Sequence, residues 1–408
     1  MSAVHATSHE SAARARRPQV VLKAKLERRL LYGHPWVYSN EVSLDNLARA
    51  LEPGEIVTLA AADGRKLSTA IYNRHTLIAA RVLTREVDAT IDAAFFARRL
   101  RRALALRERL YGEPYYRLIH AEADGIPGTV VDRYGSTLVL QINTAGIERL
   151  LPALLAALDE VLAPETVLLR DDSAARSLEG LESGHRLVKG RLDAPVELLE
   201  NGARFFADLG QGQKTGWFFD QRDNRAWVAR LAAGQRVLDC YCYAGGFAVQ
   251  AALAGASDVV ALDRSESALE LARRAAGANG VQARFDFVRA EAFAALEERA
   301  KAGERYGLAI ADPPAFVKSK RDLAQGARGY RKLARLAGAL VADGGFLFIA
   351  SCSHHVDAAL FAEQVRRGLN DCGRSGRILL SAGAAADHPV HPALPESAYL
   401  NALLLALD

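Results

Sequence analysis

Arg236-Val237-Leu238-Asp239-Cys240-Tyr241-Cys242-Tyr243-Ala244-Gly245-Gly246-Phe247 begins a regular alternation that runs to the end of the chain. Its first five residues read as a strand, and its small residues as a turn into a helix. Further strands are expected at 258–262, 283–288, 306–311 and 345–350, and helical periods at 246–254, 265–278, 291–302, 323–340 and 356–371. Strands separated by helices of this length require a parallel sheet covered on both faces, an α/β, Rossmann-like arrangement. The apolar run from Tyr399 to Leu407 adds a last strand.

The turn after the first strand lets backbone amides approach a ligand at a helix amino terminus, which singles out Tyr243, Gly245 and Gly246. It is not the GxGxxG of dinucleotide binders, and the absence of Gly-Lys-Ser/Thr excludes a P-loop. A plain strand–helix turn would account for the glycines alone. Asp263, however, ends the second strand, where a carboxylate accepts hydrogen bonds from ribose hydroxyls, and Glu291 follows the third, where an adenine amino group needs an acceptor. Singly, each acid suits a helix amino terminus equally well. With Asp239, acids at three successive strand ends point to an adenosine site. No basic cluster lies at these turns, so a methionine-derived adenosine cofactor fits better than a phosphate-bearing one.

The fourth strand runs into Asp312-Pro313-Pro314-Ala315-Phe316. Two prolines remove two amide donors and stiffen the segment, leaving Asp312 and nearby carbonyls as fixed acceptors for the amino edge of a planar base. The fifth strand runs into Ser351-Cys352-Ser353-His354-His355. A thiol at the carboxyl end of a parallel strand lies where substrates bind. Carbon 5 of a pyrimidine is too weak a nucleophile for a sulfonium methyl until a thiolate has added to carbon 6, and Cys352 is suited to that covalent role. His354 and His355 are candidate helpers or solvated residues. No metal site is expected. Cys240 and Cys242 lack a matching pair, and strand alternation is expected to turn both to one face as core or turn residues. Cys372 reads as a helix-end residue.

Outward from this region, residues 201–408 form the expected cofactor-binding domain, 89–200 a central α+β domain, 19–88 a small β-rich domain and 1–18 a disordered arm. Turn signals such as Glu52-Pro53-Gly54 and Ala62-Asp63-Gly64 set the β-rich reading. A hydrophobic fraction of 50% and a charged fraction of 25% exclude collagen-like, coiled-coil and disordered chains. No apolar run is long enough for a membrane span, the start lacks a secretory apolar region, and four cysteines are too few for a disulfide framework. A soluble, cytoplasmic protein is expected. Residues 1–110 carry 19 Lys+Arg against 11 Asp+Glu, a basic end that suits a polyanionic partner or a solvated face.

The chain resembles the RNA large-subunit methyltransferase I family of S-adenosylmethionine-dependent 5-methylcytosine enzymes over nearly its whole length. The resemblance rests on Gly33-His34-Pro35-Trp36-Val37-Tyr38, Glu122 to Gly128, Val131 to Gly135 and Gly212-Gln213-Lys214-Thr215-Gly216-Trp217-Phe218-Phe219-Asp220-Gln221-Arg222. It continues through the glycine turn, Asp312-Pro313-Pro314, Arg328-Gly329-Tyr330, Ser351-Cys352-Ser353, Asp387-His388-Pro389-Val390 and Pro395-Glu396. It implies a PUA domain, a central α+β domain and a class I methyltransferase sheet whose last strand is antiparallel. The implied cofactor is S-adenosylmethionine, held by Asp239, Tyr243, Gly245, Gly246, Asp263, Glu291, Asp312 and Pro313, with Gly216 and Gln221 in a segment that folds over it.

The implied substrate is a cytosine of large-subunit ribosomal RNA, attacked by Cys352, oriented by Asp312 and contacted by Lys25, Arg28, Arg29, Pro314, Phe316, Lys320 and Tyr330. Related cytosine enzymes carry a second cysteine where this chain has Pro314 or Ala315, so Cys352 would serve alone. The family's Tyr-Leu-Lys is here Tyr399-Leu400-Asn401. A homodimer is the assembly allowed for. Two other readings stand beside this one: methylation of a guanine or adenine nitrogen on the same fold, and a non-catalytic RNA-binding assembly factor.

Overall fold

Alternate residues of the inner strands of the carboxyl-terminal sheet belong to two different cores. Val237, Val259, Ala261, Leu308, Ile310, Phe348 and Ala350 pack on one face, and Leu238, Val260, Ala309, Ala311, Leu347 and Ile349 on the other. Burial on both faces is why these strands read as continuous apolar runs rather than as alternating ones. Emptying one such position, Ile310→Ala for example, would cost about 2–5 kcal/mol.

The structure is a computed structural model that describes residues 17–192, 195–210 and 216–408. Numbered within this sheet, the strands are β1 (Arg236–Cys240), β2 (Asp258–Asp263), β3 (Phe285–Arg289), β4 (Tyr306–Ala311), β5 (Val341–Ser351), β6 (Gly376–Ala382) and β7 (Asn401–Leu407). Their spatial order is β3-β2-β1-β4-β5-β7-β6. The first five are parallel, while β7 runs antiparallel between β5 and β6, as the resemblance implied. The helices are α1 (Gly246–Leu253), α2 (Glu266–Ala278), α3 (Ala292–Lys301), α4 (Leu323–Leu340) and α5 (Ala358–Asp371). Residues of α1 and α2 pack on the first face, and residues of α3, α4 and α5 on the second.

Strand β6 has no counterpart in the sequence reading. It is an edge strand whose Ile378 and Leu379 are about half exposed, and a register shift between Ile378 and Leu380 breaks its alternation. Such a bulge blunts a free sheet edge. The short helix Arg222–Ala229, ahead of β1, was likewise not anticipated.

The central sheet has the order Gly184–Lys189, Thr166–Asp171, Thr137–Ile142, Thr129–Tyr134, Tyr115–His120, and helices Ala93–Leu110 and Ala145–Leu162 share its core. The amino-terminal sheet has five strands between Gln19 and Thr84. Its Trp36 indole donates to Glu122 Oε1 at 2.7 Å, and Arg81 pairs with the same oxygen at 2.9 Å, joining the first two sheets. The arm expected over 1–18 lies outside the described residues up to residue 16. Its last two residues correct that expectation. Arg17 donates to Ala89 O at 2.7 Å, and Pro18 O accepts from the Thr58 amide at 2.9 Å.

Candidate active site

The glycine turn begins with a sharp reversal. Tyr241, Tyr243 and Gly245 have φ of 64°, 49° and 80°, three left-handed positions in five residues. Bulky residues in that region are strained, and such strain collects at functional sites where the surroundings impose it. Here the Tyr243 amide donates to Asp263 Oδ2 at 3.0 Å, the Cys242 amide to Leu262 O at 3.1 Å, and the Tyr243 hydroxyl to Gly216 O at 3.0 Å. The reversal also corrects the expectation for the cysteines. Cys240 packs on one face of the sheet and Cys242 on the other, because β1 ends at Cys240 and the chain turns at Tyr241. No cluster of metal-ligating side chains occurs among the described residues.

All three acids also have structural partners. Asp263 is half-buried and accepts from the Tyr243 amide on one oxygen and from the Ser265 amide (2.9 Å) on the other, leaving lone pairs for hydroxyl donors. Glu291 is exposed and caps α3, its Oε2 accepting from the Ala294 amide at 3.0 Å. Asp239 is buried beneath the turn. Its Oδ2 accepts from the Ala248 amide at 3.0 Å, bracing β1 against α1, and its Oδ1 has no partner among the described residues. Burial above all, with the charges of Asp312 and Asp263, holds this carboxyl well above the usual carboxylate range against the opposing Ala248 amide.

Gly246 is small for a reason the sequence did not suggest. A Cβ there would lie 2.9 Å from Cδ of Arg225. Arg225 and Glu200 form a buried ion pair at 2.7 Å, and Glu200 also accepts from the Trp217 indole at 2.9 Å and Gln250 Nε2 at 3.2 Å. The carboxylate thus anchors the start of the 216–225 segment, whose Gly216 meets Tyr243 and whose buried Gln221 accepts from Asn224 Nδ2 at 2.6 Å. Gly212 to Thr215, the rest of the motif, lie outside the described residues.

At the neighbouring strand ends, Asp312 is half-buried, Pro313 buried and Pro314 exposed. Cys352 is half-buried at the edge of the first core, and its thiol lies 3.9 Å from the Pro313 carbonyl oxygen, in donor contact with it. The thiol therefore stands beside the Asp312 loop and is not enclosed in hydrocarbon. Ser353 sews the loops together: its hydroxyl accepts from the Val317 amide at 3.2 Å and shares a 2.8 Å hydrogen bond with the Tyr330 hydroxyl. Tyr330 was expected to contact RNA. It is instead fully buried, its ring 4.7 Å from that of Phe316 and 5.5 Å from that of Phe361, so it positions both loops from below.

Partners from distant sequence complete the surroundings. Register pairs Ser351 with Asn401, which places Tyr399 beside the Cys352 loop, and the Tyr399 and His354 rings are 5.2 Å apart. The Tyr399 hydroxyl donates to Asp220 Oδ2 at 2.5 Å. Asp220 bears on the site through Tyr399, yet sequence spacing gave it no role; only its place in the resemblance marked it. Of the amino-terminal cations, Lys25 and Arg28 are exposed, while Arg29 is committed to Glu41 at 3.3 Å and to His34 at 2.6 Å. Lys320 is exposed and Phe316 half-buried.

A Rossmann-like sheet with this turn and these acids defines a class I methyltransferase, and the family model described as S-adenosylmethionine-dependent methyltransferase matches residues 176–404. A PUA-like domain matches residues 20–85. Relatives named ribosomal RNA large subunit methyltransferase I are 37% identical over 384 residues in Aeromonas salmonicida, covering 93% of this chain and 96% of the relative. In Cronobacter sakazakii the identity is 38% over 391 residues, covering 94% and 98%. The chain belongs to the ribosomal RNA large subunit methyltransferase I family. In fold it resembles a methyltransferase from Streptococcus mutans, with a TM-score of 0.79 at 20% identity over 95% of this chain and all of the other. SMU.776, solved in complex with SAH, gives a TM-score of 0.81 at the same identity and coverage.

The cofactor is S-adenosylmethionine. The residues present suit it. Asp239, Asp263 and Asp312 lie within electrostatic reach of one another, an arrangement that favours a cationic sulfonium and hydroxyl donors over phosphate. No helix among the described residues is long and apolar enough to cross a membrane.

Proposed function

We propose that this protein methylates carbon 5 of a cytosine in large-subunit ribosomal RNA through a covalent adduct at Cys352. One observation carries the reading: the Cys352 thiol lies 3.9 Å from the Pro313 carbonyl oxygen, beside Asp312, at the carboxyl edge where the acids of the cofactor turn also lie. Asp263, Glu291 and the 243–246 turn would hold the adenosine, Asp239 bracing the turn from beneath, while Gly216, Gln221, Asp312 and Pro313 border the cofactor. S-adenosylmethionine supplies an electrophilic methyl group when bound.

Cys352, as thiolate, adds to carbon 6, and the ring's electron pair moves to carbon 5, which becomes the nucleophile. Asp312 accepts from the exocyclic amino group and holds the ring in place. After methylation, loss of the carbon-5 proton returns its bonding pair to the ring and expels the thiolate. Pro314 and Phe316 flank the base, and Lys25, Arg28 and Lys320 supply phosphate contacts, which position without specifying. The base must leave its stack to react, so an unpaired segment of RNA is the expected target. A ribosomal RNA substrate fits a cytoplasmic location.

Cys352→Ala is expected to abolish transfer while leaving cofactor affinity within a few-fold, measured by methyl incorporation and calorimetry. Surviving activity would overturn the covalent scheme. Mass spectrometry of the modified nucleoside separates carbon 5 from a base nitrogen, and trapping on RNA containing 5-fluorocytosine tests the adduct itself.

A further inference from the structure

Helices α4 and α5 pack on each other, and their amino-terminal halves border a groove of about 590 Å³. Five cations line it, Lys320, Arg321, Arg328, Arg331 and Arg367, and no carboxylate does. Two of the five are compensated from outside: Arg331 makes a bidentate pair with Asp371 at 2.6 and 2.7 Å, and Arg367 meets Glu363 at 2.7 Å. Lys320, Arg321 and Arg328 have no ion pair among the described residues. The nearest acid in sequence, Asp322, accepts from the Ser319 hydroxyl at 2.7 Å.

Some surface cations elsewhere are matched by acids. Arg273 meets Glu266 and Glu270, Arg366 meets Glu363, and Lys332 meets Glu297. Arg328 and Arg331 lie a turn apart on α4, where like charges repel, and Arg321 lies in the turn just ahead of its start. Lys320, Arg321 and Arg328, without ion pairs among the described residues and beside a groove that no acid lines, suit an anion with repeating charges.

The groove is also continuous with the reacting edge. Lys320 ends the loop that begins at Asp312, and α4 forms the floor of that loop, since a Cβ at Gly329 would lie 2.9 Å from the Phe316 ring. We propose that this groove holds the phosphate backbone of the RNA strand beside the reacting base, with Arg321 and Arg328 as its principal phosphate contacts. The assignment rests on the RNA-modifying reading above and adds the path of the strand.

The test uses the full chain, an rRNA fragment and the double variant Arg321→Gln/Arg328→Gln. Loss of two single-strand phosphate contacts should flatten the slope of log affinity against log salt by about 1.4. KM for RNA should rise roughly tenfold or more at moderate salt, with kcat at saturating RNA and cofactor affinity unchanged. Arg273→Gln, on the far side of the sheet, should change neither quantity. An unchanged slope and KM in the double variant would overturn the proposal, as would a loss confined to an acidic peptide probe. The modified nucleoside is identified on the wild type, so methylation at a nitrogen would fell the carbon-5 reading while leaving the groove assignment to its own salt slope.

Discussion

His120 shows how one buried side chain makes this molecule sensitive to acid. Burial first, then the charges of Arg117, His388, Arg107 and His354, bring its pKa down to about 2, and its Nδ1 has no hydrogen-bond partner among the described residues. The folded protein therefore refuses a proton that the unfolded chain takes up near pH 6.5. Stability from this residue is fully present above that pH and is lost as pH falls below it, by up to about 2 kcal/mol at pH 5. His34 is shifted in the same direction, mainly by burial, so comparison with a single variant isolates the effect. His120→Asn should lose less stability than the wild type between pH 6.5 and 5, measured by urea denaturation. Equal losses would remove His120 as the cause. The residue carried no signal in the sequence because its environment comes from chain segments far apart.

At the scale of elements, the turn between β1 and α1 and the 216–225 segment behave as one unit. Ala is intrinsically favoured over Gly within a helix by about 1 kcal/mol, so helix propensity alone would have Gly246→Ala stabilise α1. The added methyl would meet Arg225 at 2.9 Å, where that side chain is fixed by Glu200, and overpacking of this kind costs about 1–3 kcal/mol. The second effect wins. Gly246→Ala is expected to lower the melting temperature and weaken cofactor binding, read by calorimetry; an unchanged or raised melting temperature would refute the coupling. The strands here were legible because Val237, Leu238, Ile310 and Leu347 sit in an apolar run buried on both faces. The edge strand β6 was not, since exposure and a bulge erased its period.

Across the whole molecule, the return segment before β7 locks the methyltransferase sheet to the central domain. Arg107 is fully buried, makes a bidentate pair with Asp124 at 2.7 and 2.8 Å, and donates to Asp387 O at 2.9 Å. Asp387 Oδ2 accepts in turn from the Arg117 amide at 3.0 Å, and Asp387 Oδ1 lies 2.7 Å from His388 Nδ1. Arg107→Met would strand the Asp124 carboxylate, a loss of about 3–5 kcal/mol. Thermal unfolding of that variant should shift to lower temperature, with the methyltransferase sheet loosened from the central domain in hydrogen exchange. Unchanged protection at the junction would contradict the lock.

From the sequence alone came the parallel sheet, the glycine turn, the acids at strand ends and a thiol at the carboxyl end of a strand. Each depends on periodicity or on residues close together in the chain. Tertiary structure alone decided which groups meet: Glu200 with Arg225 and Trp217, Tyr330 beneath two loops, Cys240 and Cys242 on opposite faces, and Asp387 with Arg107 across 280 residues. The physical reason is that a strand's apolar pattern is a local demand for burial. A buried charge or hydroxyl can be satisfied by any partner the fold brings near, and sequence spacing does not encode which one arrives.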